Sequence, residues 1–193
     1  MALLTASTVK AWCPQASGNE DLIIEAIAMA QGLADDYTGR SLESGSRDEY
    51  YDTVDNQDVL FLTNWPVTAV TTVSDDAQAT TPSTVAAADY NLDSVRGRLQ
   101  YEDNFWTVGH RAVRVQYTAG YSTTTLPNGL KRALLDLVAW LIDSRGNAGV
   151  QSESVDGVSV TNEDFGGGQF AESAPFPRRI ANQLDTYRRV VFG

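Results

Sequence analysis

The feature that most constrains the fold is a change of hydrophobic period along the 193-residue chain. Apolar residues recur every three or four positions over residues 19–38, 127–145 and from 177 onward, which predicts amphipathic helices, with a shorter helical turn near residues 8–12. Residues 50–121 are instead rich in β-branched and aromatic side chains and are broken by turn formers, which is typical of short strands. The two periods together exclude an all-helical and an all-β fold.

The ends of the helices have their own signals. Ser17 and Glu20 have the spacing of a capping box, and Asn19 is the alternative cap. Gly39 is placed to end the first long helix in the left-handed conformation. Pro177 suits the first position of the last helix, because a proline there sacrifices no helical hydrogen bond.

The middle of the chain predicts six strands, at residues 50–54, 59–62, 67–73, 88–92, 98–101 and 112–117. The Gly- and Ser-rich stretch 146–175 is interpreted as a mostly mobile loop with one short hairpin around residues 155–160. The predicted fold is therefore α+β, a small bundle of three main helices with a β-rich insertion between the first and second and a flexible loop before the last helix. The corresponding domains are a helical core of residues 1–45 and 122–193 and a β-rich insertion of residues 46–121.

Composition narrows the classes of partner. The net charge of −11 makes the chain a poor candidate for holding nucleic acid by its phosphates. The longest apolar run, residues 134–142, is too short to cross a bilayer, and no signal peptide is visible. We therefore expect an intracellularly made protein with no membrane partner. A single cysteine, Cys13, excludes an intrachain disulfide.

A search for chemistry finds no set of catalytic residues. His110 is the only histidine and lies at a predicted turn, where an exposed, non-catalytic role is favoured. The adjacent acids, such as Asp48 with Glu49, do not face the same way and are interpreted as solvated charge. The glycines at 166–168 lack the lysine of a phosphate-binding loop. We therefore expect no enzymatic activity, no metal and no cofactor.

Two features indicate binding. Residues 178–189 carry four arginines against one acid, which suggests docking onto an acidic partner, the alternative being a solvated helix face. Phenylalanines within and beside the Gly-rich stretch suit anchoring in a neighbouring subunit, and they are Phe165, Phe170 and Phe176.

Short motifs in a fixed order extend this interpretation over nearly the whole chain. They are YTGR at 37–40, NWPV at 64–67, DYNL at 89–92, GRL at 97–99, VRVQYTAGY at 113–121 and LDTYRR at 184–189. With them the chain resembles the head–tail connector proteins of long-tailed phages, the adaptors bound to the portal.

The resemblance implies a structural subunit of the virion neck. Such adaptors form a twelve-fold ring of identical subunits under the portal, extend the channel through which genomic DNA passes without sequence-specific binding, and dock a stopper or tail-completion protein. Their C-terminal segment contacts the portal. Carried over to this chain, that segment contains Arg178, Arg188, Arg189, Val190, Val191 and Phe192.

Three alternatives remain open at this stage. One is another neck or tail-completion protein of the virion, which differs from an adaptor in not touching the portal. A second is a small hydrolase using His110 or paired carboxylates, which the single histidine disfavours. The third is a carbohydrate-binding module, suggested by the aromatic residues of the middle block, which would bind glycans without the rest of the chain.

Overall fold

The chain forms two compact units in a computed structural model that describes residues 2–14, 19–146, 152–155, 158–161 and 175–189. Residues 1–40 and 123–193 form one, the helical unit, and residues 41–122 form the other, the β unit. Each unit buries apolar side chains of its own elements.

The helical unit contains α1 (Ala6–Trp12), α2 (Glu20–Thr38), α3 (Asn128–Gly146) and α4 (Arg178–Leu184), and α4 continues into a 3-10 turn at Asp185–Tyr187. Asn19 caps α2, since its side chain accepts a hydrogen bond from the Leu22 amide at 3.2 Å. Gly39 ends α2 at a φ of 68°. The buried stripes of the helices meet in one core, which includes Val9, Ile23, Ile27, Leu130, Leu134, Leu137, Ile180 and Leu184.

Two antiparallel sheets make up the β unit. Its strands are β1 (Gly45–Thr53), β2 (Val59–Phe61), β3 (Val67–Asp75), β4 (Ser83–Thr84), β5 (Tyr90–Asp93), β6 (Arg98–Tyr101) and β7 (Gly109–Ala119). The first sheet has the order β1-β7-β3-β4 and the second has the order β2-β6-β5. The long strand β7 is central because it pairs with β1 from Gly45↔Ala119 to Thr53↔Gly109 and with β3 on its other side.

The β unit has a core between its sheets. Buried residues from both contribute, among them Leu60, Leu62, Val73, Leu99, Trp106, Val115 and Tyr117. The chain enters and leaves the unit side by side, since the Tyr121 amide donates to the Leu42 carbonyl and the Ser44 amide to the Tyr121 carbonyl, both at 2.8 Å.

The predicted architecture of a three-helix bundle with a β insertion is wrong, although the protein is α+β. The described residues form four helices, because the expected turn near residues 8–12 is the helix α1. The middle block forms two antiparallel sheets around a core of its own, since its alternating strands bury enough apolar surface to need no helix as cover.

Part of the expected flexible loop is a pair of strands. β8 (Ser152–Val155) pairs antiparallel with β9 (Val158–Thr161), which confirms the hairpin predicted there. The expected mobility of the rest concerns residues outside the described ones. Pro177 precedes α4 as its N-cap and is not its first residue. Among the helices that the structure describes, none has the length and apolar character needed to cross a membrane.

Candidate interaction surfaces

The C-terminal segment, residues 175–189, is built onto the helical unit by an apolar face. Ile180, Ala181 and Leu184 of α4 are buried. Phe176, just before α4, is fully buried and meets the Tyr37 ring edge-on with 5.3 Å between centroids. The segment is thus part of the folded subunit up to its last described residues.

Polar contacts then fasten the segment to the end of α2. The Arg189 amide donates to the Thr38 carbonyl at 2.8 Å. The buried Arg40 donates from Nε to the Tyr187 carbonyl at 2.9 Å, and the Tyr37 hydroxyl donates to Asp185 Oδ1 at 2.6 Å. Burial, and then the Asp185 carboxylate, raise the pKa of Tyr37. These contacts fix the position of residues 185–189 against the end of α2.

The arginines of this segment remain on its surface. Arg178 and Arg179 are exposed in the first turn of α4, where the helix dipole disfavours cations by about 0.3–1 kcal/mol. Arg188 is exposed, with its guanidinium 3.8 Å from Asp185 and 5.1 Å above the Tyr37 ring. Arg189 is exposed as well. The segment therefore presents a positive surface on a chain of net charge −11.

The other predicted contact residues are placed differently. Phe176, expected to reach a neighbouring subunit, belongs to the core of its own unit and would have to leave that core to do so. Phe165, Phe170 and residues 190–192 lie outside the described residues.

His110 is exposed and its only ion pair in the described chain is with Asp52, Nδ1 to Oδ1, at 2.9 Å. The Arg111 amide donates to the same carboxylate at 2.7 Å. That amide first, and the imidazole second, lower the pKa of Asp52. No hydroxyl or thiol of the described residues is hydrogen-bonded to the imidazole, so the geometry of a nucleophile–base pair is not formed there.

A metal site would require several His, Cys, Asp or Glu side chains close together. No three His, Cys, Asp or Glu side chains of the described residues are grouped so that they could hold a metal ion. Cys13 is buried at the end of α1 and forms no disulfide.

A polar network inside the β unit was missed by sequence reasoning. Glu49 points between the sheets, where Oε2 accepts hydrogen bonds from the Tyr117 hydroxyl at 2.7 Å and from the Tyr51 hydroxyl. Its Oε1 accepts from Asn64 Nδ2 at 3.0 Å, and Asn64 Oδ1 accepts from the Ser41 amide at 2.8 Å. Burial, and then the nearby carboxylate, raise the pKa of Tyr117 to about 12, and burial is also the main cause of the raised pKa of Tyr51. The network ties the loop before β3 to the first sheet.

The neighbouring acid Asp48 faces the opposite side of β1, as strand geometry requires. It accepts two hydrogen bonds from Arg114, Nε to Oδ1 at 2.9 Å and Nη2 to Oδ2 at 2.6 Å. Hydrogen bonding to Arg114 lowers the pKa of Asp48. The interpretation of both acids as solvated charge is thus wrong for Glu49, which accepts hydrogen bonds from Tyr117, Tyr51 and Asn64.

The fold of the chain is similar to that of chains in three solved particle structures. It matches a chain from the neck of the empty gene transfer agent (GTA) particle, computed with C6 symmetry, with a TM-score of 0.62 and 19% identity over 99% of this chain and 93% of that one. A chain from the neck of the native GTA particle, computed with C12 symmetry, matches with a TM-score of 0.53 and 22% identity over 90% and 84%. A third, from the virion of the native particle, matches with a TM-score of 0.55 and 20% identity over 92% and 82%.

The sequence identifies the family. The family model described as Head completion protein matches residues 2–190, so the chain belongs to the head completion protein family. No curated protein matches it in sequence. The resemblance to head–tail connectors is confirmed, and the chain is a structural subunit of the head–tail neck of a virion.

Proposed function

We propose that the protein works as an adaptor, a non-enzymatic ring subunit that binds the portal through its C-terminal segment and carries the next neck or tail protein. Membership of the head completion family supports this role. The necks of similar fold were computed with C6 and C12 symmetry, which supports a ring of identical subunits, for which we favour twelve copies.

The observation that carries the proposal is the C-terminal segment. It is fastened to α2 through Arg189 and Tyr187, while Arg178, Arg179 and Arg188 face solvent. A firmly held segment that carries exposed arginines, and that the apolar residues Val190, Val191 and Phe192 follow in the sequence, suits docking onto an acidic protein surface. In this proposal Arg178, Arg188 and Arg189 pair with acidic groups of the portal, and Val190, Val191 and Phe192 fill apolar pockets there.

The ring proposal has two further parts. Twelve subunits would carry a formal charge of about −130, from −11 each, so acids that face the channel would repel DNA phosphates and let the genome pass without sticking. Phe165 and Phe170, in the chain between β9 and α4, are proposed to anchor in the adjacent subunit of the ring.

The test removes residues 190–193 in one variant and combines Arg188→Glu with Arg189→Glu in another. Both subunits should melt at nearly the wild-type temperature, because the core residues of α4 are untouched. Both should fail to attach to DNA-filled heads, which then leak DNA, and raised salt should weaken wild-type attachment if the ion pairs are exposed. Attachment is measured by sedimentation of heads with labelled subunit.

The matched control is Arg132→Glu, an exposed arginine on α3 of the same unit. It should attach as the wild type does. Normal attachment of the truncated chain would place the portal contact elsewhere on the subunit. An equal loss of attachment with Arg132→Glu would show that attachment depends on the overall charge of the subunit and not on the C-terminal arginines.

A further inference from the structure

Three large apolar side chains are exposed at the end of the β unit opposite to where the chain enters and leaves it. Val54 is 67%, Phe105 53% and Val108 58% exposed. Val54 and Val108 directly follow and precede the last pair of the β1–β7 ladder, Thr53↔Gly109, and Phe105 lies on the same segment as Val108. Apolar side chains grouped in this way on a surface are typical of an interaction site.

The loops that carry these side chains are bound to one another. The Trp106 amide donates to the Gln57 carbonyl at 2.9 Å, and its buried indole Nε1 donates to the Asp58 carbonyl at 2.8 Å. The Thr107 amide donates to Asp75 Oδ1 at 3.0 Å. We call residues 54–58, 75–78 and 102–111 the distal loops. Their mutual contacts hold the apolar group on a firm base, which lowers the entropy cost of binding.

Backbone conformation gives independent support. Within the described chain, every non-glycine residue of positive φ lies in the distal loops: Asn56 at 59°, Asp76 at 51°, Asp103 at 53° and Arg111 at 52°. The left-handed conformation is unfavourable for a side chain such as arginine, and it persists only where the surrounding contacts fix it. The distal loops are therefore held in one particular shape.

The charge of the distal loops defines the partner. They carry six carboxylates and one arginine. The carboxylates of Asp55, Asp76 and Asp103 are exposed and make no hydrogen bond or ion pair within the described part of the chain. This acidic rim repels DNA phosphates and favours a basic protein surface.

We infer that the distal loops are a docking surface for a basic protein with an apolar depression, namely the next component of the neck. The inference rests on the proposed adaptor function. An apolar centre inside a charged rim has the organisation of a protein interface. Val54, Phe105 and Val108 supply the centre, and the free carboxylates supply the rim that orients the partner.

The test replaces Val54, Phe105 and Val108 together by serine, and in a second variant combines Asp55→Lys with Asp103→Lys. Each variant is made in cells that produce all other structural proteins of the particle, and necks are imaged by electron microscopy. Variant rings should remain on DNA-filled heads, whereas the next neck component and the tail should be lost about tenfold or more. Circular dichroism and thermal melting of the free subunits show whether the fold is retained.

Val95→Ser is the matched control, since Val95 is 70% exposed in the same unit but lies outside the distal loops. It should form normal necks. Tails at the wild-type level on the serine variant overturn the inference, and so does an equal loss with Val95→Ser. A folded variant that is missing from the heads also overturns it, because the loops then contact the portal or a second copy. A wild-type chain that is itself missing from the neck defeats the proposed function instead.

Discussion

At the scale of single residues, the most informative one is Glu49. Sequence reasoning treats it as half of an acidic pair on a polar stretch, yet it accepts hydrogen bonds from Tyr117, Tyr51 and Asn64. Tyr51 is 2 positions away on the same strand, Asn64 is 15 and Tyr117 is 68 positions away, and Tyr117 comes within reach through the pairing of β1 with β7. Partial burial of this carboxylate is tolerated because donors satisfy both of its oxygens.

Glu49→Gln tests this network. In glutamine an NH₂ group replaces one of the two carboxylate oxygens, so a donor would face a donor and one hydrogen bond of the network would be lost. The free energy of unfolding should therefore fall by about 1–3 kcal/mol. Urea unfolding followed by circular dichroism measures it. Asp48→Asn, the neighbouring acid on the exposed face, is the control and should leave stability nearly unchanged. Equal effects of the two changes would show that the Glu49 contacts add nothing to stability.

The two buried phenols predict how stability depends on pH. Their pKa values lie above the ordinary value of 10.0, and that of Tyr117 is about 12. Unfolded chains would ionise these groups first, so the contribution of both is complete below pH 10, and that of Tyr117 is lost as the pH rises through about 12. Urea unfolding at a series of pH values should show this decline, and Tyr117→Phe should make it shallower. An unchanged slope in the variant would assign the decline to other groups.

At the scale of elements, sequence patterns located helices and strands well where local signals were strong. The cap at Asn19 and the stop at Gly39 bound α2 as expected. The first half of β1, Gly45 to Glu49, was missed because its residues are mostly small or charged, and pairing with β7 makes it a strand. The length of α4 was overestimated, since tertiary contacts turn the chain into a 3-10 turn after Leu184.

Alanine substitutions at two glycines are predicted to change the stability of the fold in opposite directions. A Cβ at Gly120, where φ is 107°, would lie 2.5 Å from the Glu43 carbonyl oxygen, so Gly120→Ala should push apart the strand ends and lower stability by about 2 kcal/mol or more. Gly32 lies within α2 with open space around it, so Gly32→Ala should raise stability by about 0.5–1 kcal/mol. Thermal melting of both variants checks this. A stabilising Gly120→Ala would contradict the close approach.

At the scale of the whole molecule, sequence identified the family but not the surfaces. The ordered motifs led to the head–tail connectors, and the arginines of the C-terminal segment are exposed as a docking role requires. The surface formed by the distal loops could not be predicted from the sequence, because Val54 and Val108 become neighbours only through the register Thr53↔Gly109. Phe176 was predicted to contact a neighbouring subunit, because the sequence shows the Gly-rich stretch before it but not the Tyr37 ring that packs against it.

The division into two units predicts that residues 41–122 fold alone. This segment has its own core, centred on Trp106, Tyr117 and Leu99, and its ends are already joined by hydrogen bonds between Leu42, Ser44 and Tyr121. Cutting the chain at 41 and 122 therefore breaks no strand pairing of the β unit. The fragment should unfold cooperatively in urea and keep the raised pKa of Tyr117 near 12, measured by tyrosinate absorbance.

A fragment of residues 46–121, the boundaries predicted from sequence, is the control. It lacks Leu42 and Ser44, so the hydrogen bonds that join the chain ends cannot form, and Gly45, the partner of Ala119, is missing too. Its free energy of unfolding should be lower by about 1 kcal/mol or more. A 41–122 fragment without cooperative unfolding would mean that the β unit depends on the helical unit for its fold. Equal stability of the two fragments would instead show that the closing contacts are dispensable, and the shorter boundaries would then be the better description of the domain.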